Sequence, residues 1–241
     1  MENQNLTKRE RKELRRQEKQ AQKSQTVKSK TFKSVITWGL VALGIVLAIW
    51  GMLKLASTPV DNTPLAGAVT EDDWIKGNPN ADVILVEYSD FQCPACGLYY
   101  PIVKQLVAEY EGEITFVYRH FPLSQHQNAR PAAYGSEAAG QQGKFWEMHN
   151  MIFDNQNNWS EASNAADIFR GYAQNLELDL AKYDAAVNSQ DVKNKVDNHY
   201  TGGIQSKVTY TPTFYLNGQK IQNPQNLEEF RTLIQAALDG N

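Results

Sequence analysis

A chain of 241 residues, 41% hydrophobic and 21% charged, has the composition of an ordinary soluble protein and enough apolar side chains for one sizeable core. Its 2 cysteines are too few for a fold-wide disulfide framework. The net charge of −3 conceals a division: residues 1–33 carry 11 Lys or Arg against 4 Glu, whereas the chain from Ser57 onward carries 12 against 23 Asp or Glu.

Residues 1–33 are nearly devoid of apolar side chains and are expected to form a disordered basic tail. Ser34 to Leu53, SVITWGLVALGIVLAIWGML, is uncharged and matches the roughly 20 residues that carry a helix across the hydrocarbon core. A single transmembrane helix is therefore expected over residues 34–56. A cleaved signal peptide is the rival reading, but the basic flank is long, the apolar run exceeds the usual roughly 7–15 residues, and the small residues Ala66 to Ala68 lie far downstream. No cysteine directly follows the run, which argues against a lipid anchor. A buried core helix is the other alternative, and the charged tail and Pro-containing linker on its two sides disfavour it. The positive-inside rule places the basic tail in the cytoplasm and the acidic domain outside the cytoplasmic membrane. Lys8–Lys33 could also be read as a nucleic-acid contact, but beside a span, topology and anionic lipid explain it more simply, so no nucleic-acid partner is expected.

Residues 57–72, with two prolines and no apolar period, read as a linker, and a single folded domain is expected over residues 73–241. Val83-Ile84-Leu85-Val86 reads as a strand covered on both faces. The motif Cys93-Pro94-Ala95-Cys96 follows, and then Leu98, Ile102, Val103, Leu106 and Val107 recur at helical spacing. Ile114 to Tyr118 reads as a second strand, completing a β-α-β unit. Helical patterns fill a block of about 128–207. Thr213 to Leu216, the turn Asn217-Gly218 and Lys220-Ile221 predict a hairpin. Asn226 with Glu229 resembles a capping box opening a final amphipathic helix.

The cysteine pair, two residues apart at a strand-to-helix junction, is the centre of the chemistry. A helix N-terminus favours a thiolate, the reactive species, and places Cys93 there; Pro94 suits the first helical position. Cys96, one turn in, is expected to be more buried and to act as the resolving thiol. Two readings stay open beside this one. A metal site would use the pair as two ligands, but His120, His126, His149 and His199 lack a spacing that completes a tetrahedral set. An inert structural bond would close too short a loop to stabilise much. No metal and no cofactor is expected. Glu87, inside the apolar strand, costs free energy unless paired or protonated, or else faces water at an edge.

The residues Val86 to Cys96 (VEYSDFQCPAC), Arg119 to Leu123 (RHFPL), Gln142 to His149 (QGKFWEMH) and Thr209 to Gly218 (TYTPTFYLNG) resemble the DsbA-like branch of the thioredoxin superfamily, in its membrane-anchored bacterial form. The resemblance covers most of the chain beyond Trp74. It implies an α/β thioredoxin fold with a helical insertion. It also implies a thiol–disulfide oxidoreductase acting on reduced exported polypeptides, with a membrane redox partner of the DsbB or VKOR type. By the same resemblance, Thr211-Pro212 is a cis-proline loop that faces the cysteines and, with Pro94 and Ala95, receives substrate. Glu87 lies beneath the cysteines and assists proton transfer, Pro101 is structural, and no role follows for His120, His126 or His149. The strongly oxidising members have His where this chain has Ala95, so a milder oxidant is expected. A reductase or isomerase fed by a membrane donor, and a tethered adaptor or metallochaperone without catalysis, are the competing functional readings.

Overall fold

The computed structural model describes residues 12, 13, 15, 16, 19, 38, 39, 41–50 and 63–240. The expected basic tail and the ends of the expected span lie mostly outside the described residues, as do the first residues of the linker. Within the expected span, residues 38, 39 and 41–50 are helical and exposed. Among the described residues no helix is long and apolar enough to cross a membrane. The chain divides into two compact units, residues 1–59 and 60–241.

The second unit is built on a five-stranded sheet. Its strands are β1 (Trp74–Gly77), β2 (Val83–Ser89), β3 (Ile114–His120), β4 (Thr213–Leu216) and β5 (Gln219–Lys220), in the order β1-β3-β2-β4-β5. Strands β2 and β3 run parallel, joined through helix α1 (Pro94–Glu109), while the other pairings are antiparallel. A parallel pair needs a crossover and is covered on both faces, which is why nearly every residue of β2 and β3 is buried. Because side chains alternate along a strand, Leu85 packs into the larger core with α1, whereas Val86 and Tyr88 pack with Val117, Phe121, Val208 and Tyr215 on the opposite face. Glu87 shares the parity of Leu85, so the strand aims its carboxyl toward α1.

Six helices stand between β3 and β4: α2 (Ala129–Gly140), α3 (Phe145–Asp154), α4 (Gln156–Trp159), α5 (Ala165–Asn175), α6 (Leu180–Asn188) and α7 (Gln190–Gln205). The domain closes with α8 (Leu227–Asp239), capped by the Asn226 side chain accepting the Glu229 N–H. The β4–β5 turn has Asn217 at φ 47° and Gly218 at φ 76°, the left-handed pair that a two-residue hairpin requires.

Two features depart from the sequence expectations. Strand β1 was not anticipated: four residues containing Lys76 and Gly77 offer no alternation to read, and the strand exists because it borders β3 and stacks Trp74 on Phe145 at 4.2 Å. Leu98, counted with the apolar face of the active-site helix, is 73% exposed; the buried stripe of α1 is instead Cys96, Tyr100, Val103, Leu106 and Val107. The first turn of α1 therefore presents a large apolar side chain to solvent.

Candidate active site

Cys93 is the N-cap of α1, with φ −66° and ψ 122°, and Pro94 opens the helix. The sulfurs are free thiols in strongly unequal settings, Cys93 at 7% exposure and Cys96 fully buried. The thiol of Cys96 offers Cys93 a hydrogen bond, and with help from Thr211 and the backbone N–H groups of Cys96 and Ala95 it outweighs desolvation, bringing the Cys93 pKa down to about 5. Cys96 moves the opposite way, well above the ordinary thiol range, because burial, Cys93 and Glu87 all disfavour its charged form. At neutral pH one sulfur is thus a thiolate and the other a thiol. The stabilisation is reached with Ala95 between the cysteines, by neighbouring donors in place of a cationic side chain.

The Thr211–Pro212 peptide is cis, and the Thr211 carbonyl lies 3.4 Å from the Cys93 sulfur as a hydrogen-bond acceptor. The Thr211 hydroxyl is buried with no hydrogen-bond partner among the described residues. An orphaned hydroxyl beside a sulfur is a donor ready for the thiolate form, which accounts for the share of Thr211 in lowering the Cys93 pKa.

Glu87 is 4% exposed and has no cationic partner among the described residues; burial raises its pKa from 4.5 to about 7. It borders a cavity of about 20 Å³ shared with Tyr100, Lys104, Trp146, His149 and Asn150. That volume suits a single water molecule. His149 is neutral, its pKa driven down to about 3 by burial.

The helical insertion reaches the active-site turn directly. Gln156 in α4 donates from its amide to the carbonyls of Phe91 (2.7 Å) and Cys93 (2.9 Å). Gln92 accepts the N–H of Asn128 at 2.6 Å and donates to the Ser160 carbonyl at 2.7 Å. Gly97 is required by this clamp, since a Cβ there would overlap the Gln156 amide. Gln156, Asn128 and Asp90, whose carboxylate meets His126 Nδ1 at 2.7 Å, escaped the sequence reading. Only Asp90 left a signal, an Asp two residues before Gln92 in a turn.

His120 and His199 belong elsewhere. With Glu137 they form a cluster whose donor atoms lie within 4.8 Å of one another. The Glu137 carboxylate is already engaged by Trp74 Nε1 at 2.6 Å, His120 Nε2 at 2.9 Å and Lys195 at 3.2 Å. Burial alone would raise the Glu137 pKa, but His120, Lys195 and Trp74 bring it below its ordinary value. Arg119 is doubly bonded to Asp73 at 2.8 Å, and Asp73 lies 3.8 Å from His199 Nε2, so a second buried ion pair borders the group. The cluster is charge-balanced, and a divalent ion would have to displace partners already in place.

Residues 69–236 match the family model described as Thioredoxin. Among solved structures, BdbD from Bacillus subtilis superposes with a TM-score of 0.63 at 21% identity, over 74% of this chain and 100% of that one. α-DsbA1 from Wolbachia pipientis gives 0.62 at 20% identity, over 71% and 94%. A thioredoxin-like oxidoreductase from Silicibacter pomeroyi gives 0.60 at 22% identity, over 70% and 94%. The chain is also 35% identical over 166 residues to Na(+)/H(+) antiporter NhaA 3 of Salinispora tropica, across 68% of this chain and 24% of that protein. It is 36% identical over 169 residues to NhaA 1 of Salinispora arenicola, across 70% and 25%. The chain thus spans about a quarter of the length of these curated relatives. With most of its folded domain inside the family match, and an overall fold that superposes on DsbA-like structures, the chain is a member of the thioredoxin family built on the DsbA-like form of its fold.

Proposed function

We propose that this protein is a thiol–disulfide oxidoreductase that introduces disulfides into exported polypeptides. Its domain is held outside the cytoplasmic membrane by a helix over residues 34–56. The observation that carries the reading is the asymmetry of the sulfur pair, a low-pKa Cys93 at the helix N-terminus against a fully buried, high-pKa Cys96. In the oxidised enzyme a substrate thiolate attacks Cys93 Sγ; the Cys93–Cys96 bond breaks, and Cys96 leaves and takes up a proton. Glu87 supplies that proton; its pKa of about 7 and its influence on the Cys96 thiol support the role. A second substrate thiolate then attacks the substrate sulfur of the mixed disulfide and expels Cys93 as a thiolate. The substrate gains a disulfide, and the pair ends as the dithiol with the two electrons. Reoxidation falls to a membrane partner of the DsbB or VKOR type.

Thiolate stability favours this direction, since a pair whose reduced form is stabilised is the stronger oxidant. The backbone of Thr211, facing Cys93, and the exposed side chains of Leu98 (73%) and Tyr210 (46%) suit an unfolded, partly apolar chain. The span and the orientation rest on the apolar run and the basic tail of the sequence. Trapping tests the whole reading: a Cys96→Ala variant in its host accumulates mixed disulfides through Cys93 with exported proteins. Trapped partners that are absent or cytoplasmic would overturn the location or the mechanism. A reduction potential as low as that of cytosolic thioredoxin would overturn the direction.

A further inference from the structure

We propose that Asp90 is a positioning residue of the redox centre and that His126 is the group that holds it in place. The inference rests on the redox reading of Cys93 and Cys96 and names what sets their reactivity. The main chain of Asp90 touches both sulfur-bearing residues: its N–H points at Cys96 Sγ at 3.5 Å, and its carbonyl accepts the N–H of Cys93 at 3.0 Å. Whatever fixes the Asp90 backbone therefore fixes the pair.

Its side chain does the fixing. The carboxylate is fully buried, a location that an acid occupies only when donors surround it. One oxygen accepts the N–H of Gln92 at 2.8 Å and closes the turn leading into Cys93. The other accepts the N–H of Leu123 at 2.9 Å and faces His126 Nδ1 at 2.7 Å. Leu123 and His126 lie on the segment that leaves β3, so the carboxylate bolts that segment to the cysteine turn. Of these partners only His126 can carry charge, and its side chain, 18% exposed, reaches the carboxylate from the solvent edge. The other titratable groups near Asp90 are Cys96 and Tyr118, the latter buried and sensitive to the Asp90 charge. Asp90 acts on Cys93 through hydrogen bonds and contacts no substrate itself.

The test measures the sulfur pair without any protein substrate. In the full chain, the Cys93 thiolate is titrated by its ultraviolet absorbance and the pair is equilibrated against glutathione, for wild type, Asp90→Asn and His126→Ala. Val196→Ala, a fully buried site in α7, controls for general destabilisation. In both turn variants the Cys93 midpoint is expected to rise by about one pH unit, tenfold less thiolate at a fixed pH below it. The pair is expected to become correspondingly easier to oxidise, while Val196→Ala changes neither. A folded Asp90→Asn with the wild-type midpoint and potential overturns the proposal. So does a fall in the midpoint, the sign expected if the carboxylate acted only as a nearby negative charge. Should Asp90→Asn not fold, His126→Ala decides: a wild-type midpoint and potential overturn the proposal, and so does a neutral His126→Asn that keeps a donor for Asp90 yet shifts the midpoint as far as His126→Ala, the result expected from loss of charge alone. A wild-type pair that fails to exchange with glutathione would sink the redox reading itself, a result distinct from either outcome above.

Discussion

Replacing Glu87 by Gln separates the cost of burying an acid from its use. In the folded protein burial holds the Glu87 pKa at about 7 against an ordinary 4.5. The native state therefore binds the proton more tightly than the unfolded chain, and stability is lost as pH rises between those two values, levelling off above the upper one. At about 1.4 kcal/mol per pKa unit the loss reaches about 3 kcal/mol on the alkaline side. Glu87→Gln is neutral throughout and lacks this slope. The buried amide gives back part of the gain, so the variant is expected to be more stable than wild type by at least about 1 kcal/mol near pH 8, and equal or weaker near pH 4. In a domain of this size that is a rise in Tm of about 2–4 °C or more. Denaturant unfolding of the full chain, followed by tryptophan fluorescence across that pH range, reads the difference. Wild type and variant with parallel pH profiles would refute the reasoning, because they would show that Glu87 is charged at no cost in the fold. The same variant is expected to lose at least about tenfold in disulfide exchange, since the neutral amide cannot hand a proton to Cys96.

Three further outcomes follow from the geometry. Thr211→Val removes the orphaned hydroxyl beside Cys93, so the thiolate midpoint should rise by up to about one pH unit and the potential fall by about 30 mV, measured by titration and glutathione equilibrium. Arg119→Met strips the buried Asp73 of its bidentate partner and should cost about 3–5 kcal/mol in denaturant unfolding. Burial pushes the Asp73 pKa up, but the hydrogen bond from Arg119 leaves it below 3.8 overall, so the Asp73 contribution is present above that value and disappears as pH falls through the folded-state pKa. Gly203→Ala in α7 drives a Cβ into the Phe121 ring and should destabilise by about 1–3 kcal/mol, read as a lower Tm with unchanged Cys93 titration.

What the sequence made legible is local. The apolar run before the motif, the Pro94 start of α1 and the Asn217-Gly218 turn are each written in a few consecutive residues whose chemistry permits little else. The unequal burial of the sulfurs follows from helix position alone. The parts that stayed hidden depend on partners far along the chain. Gln156 lies 63 residues from the carbonyl of Cys93 that it binds, and no pattern near either residue announces the bond. Strand β1 is too short and polar to show a period, and is specified by its neighbour β3. Leu98 shows the opposite failure: its spacing fits the buried stripe, yet the helix turns it to solvent, because position in a period says which face a residue shares and not how wide the covered face is.

The hydrogen bonds from Gln156 and Asn128 bear on how such a protein can be altered. Since α4 and the start of α2 hold the carbonyls and side chains around the cysteine turn, the inserted helices and the motif form one mechanical part. A chimaera that kept the sheet and CPAC of this chain but took its helices from a relative would import that relative's clamp on the turn. Its sulfur chemistry would then follow the helices as much as the four-residue motif. Comparing such proteins by the two residues between their cysteines omits the scaffold that decides where those cysteines sit.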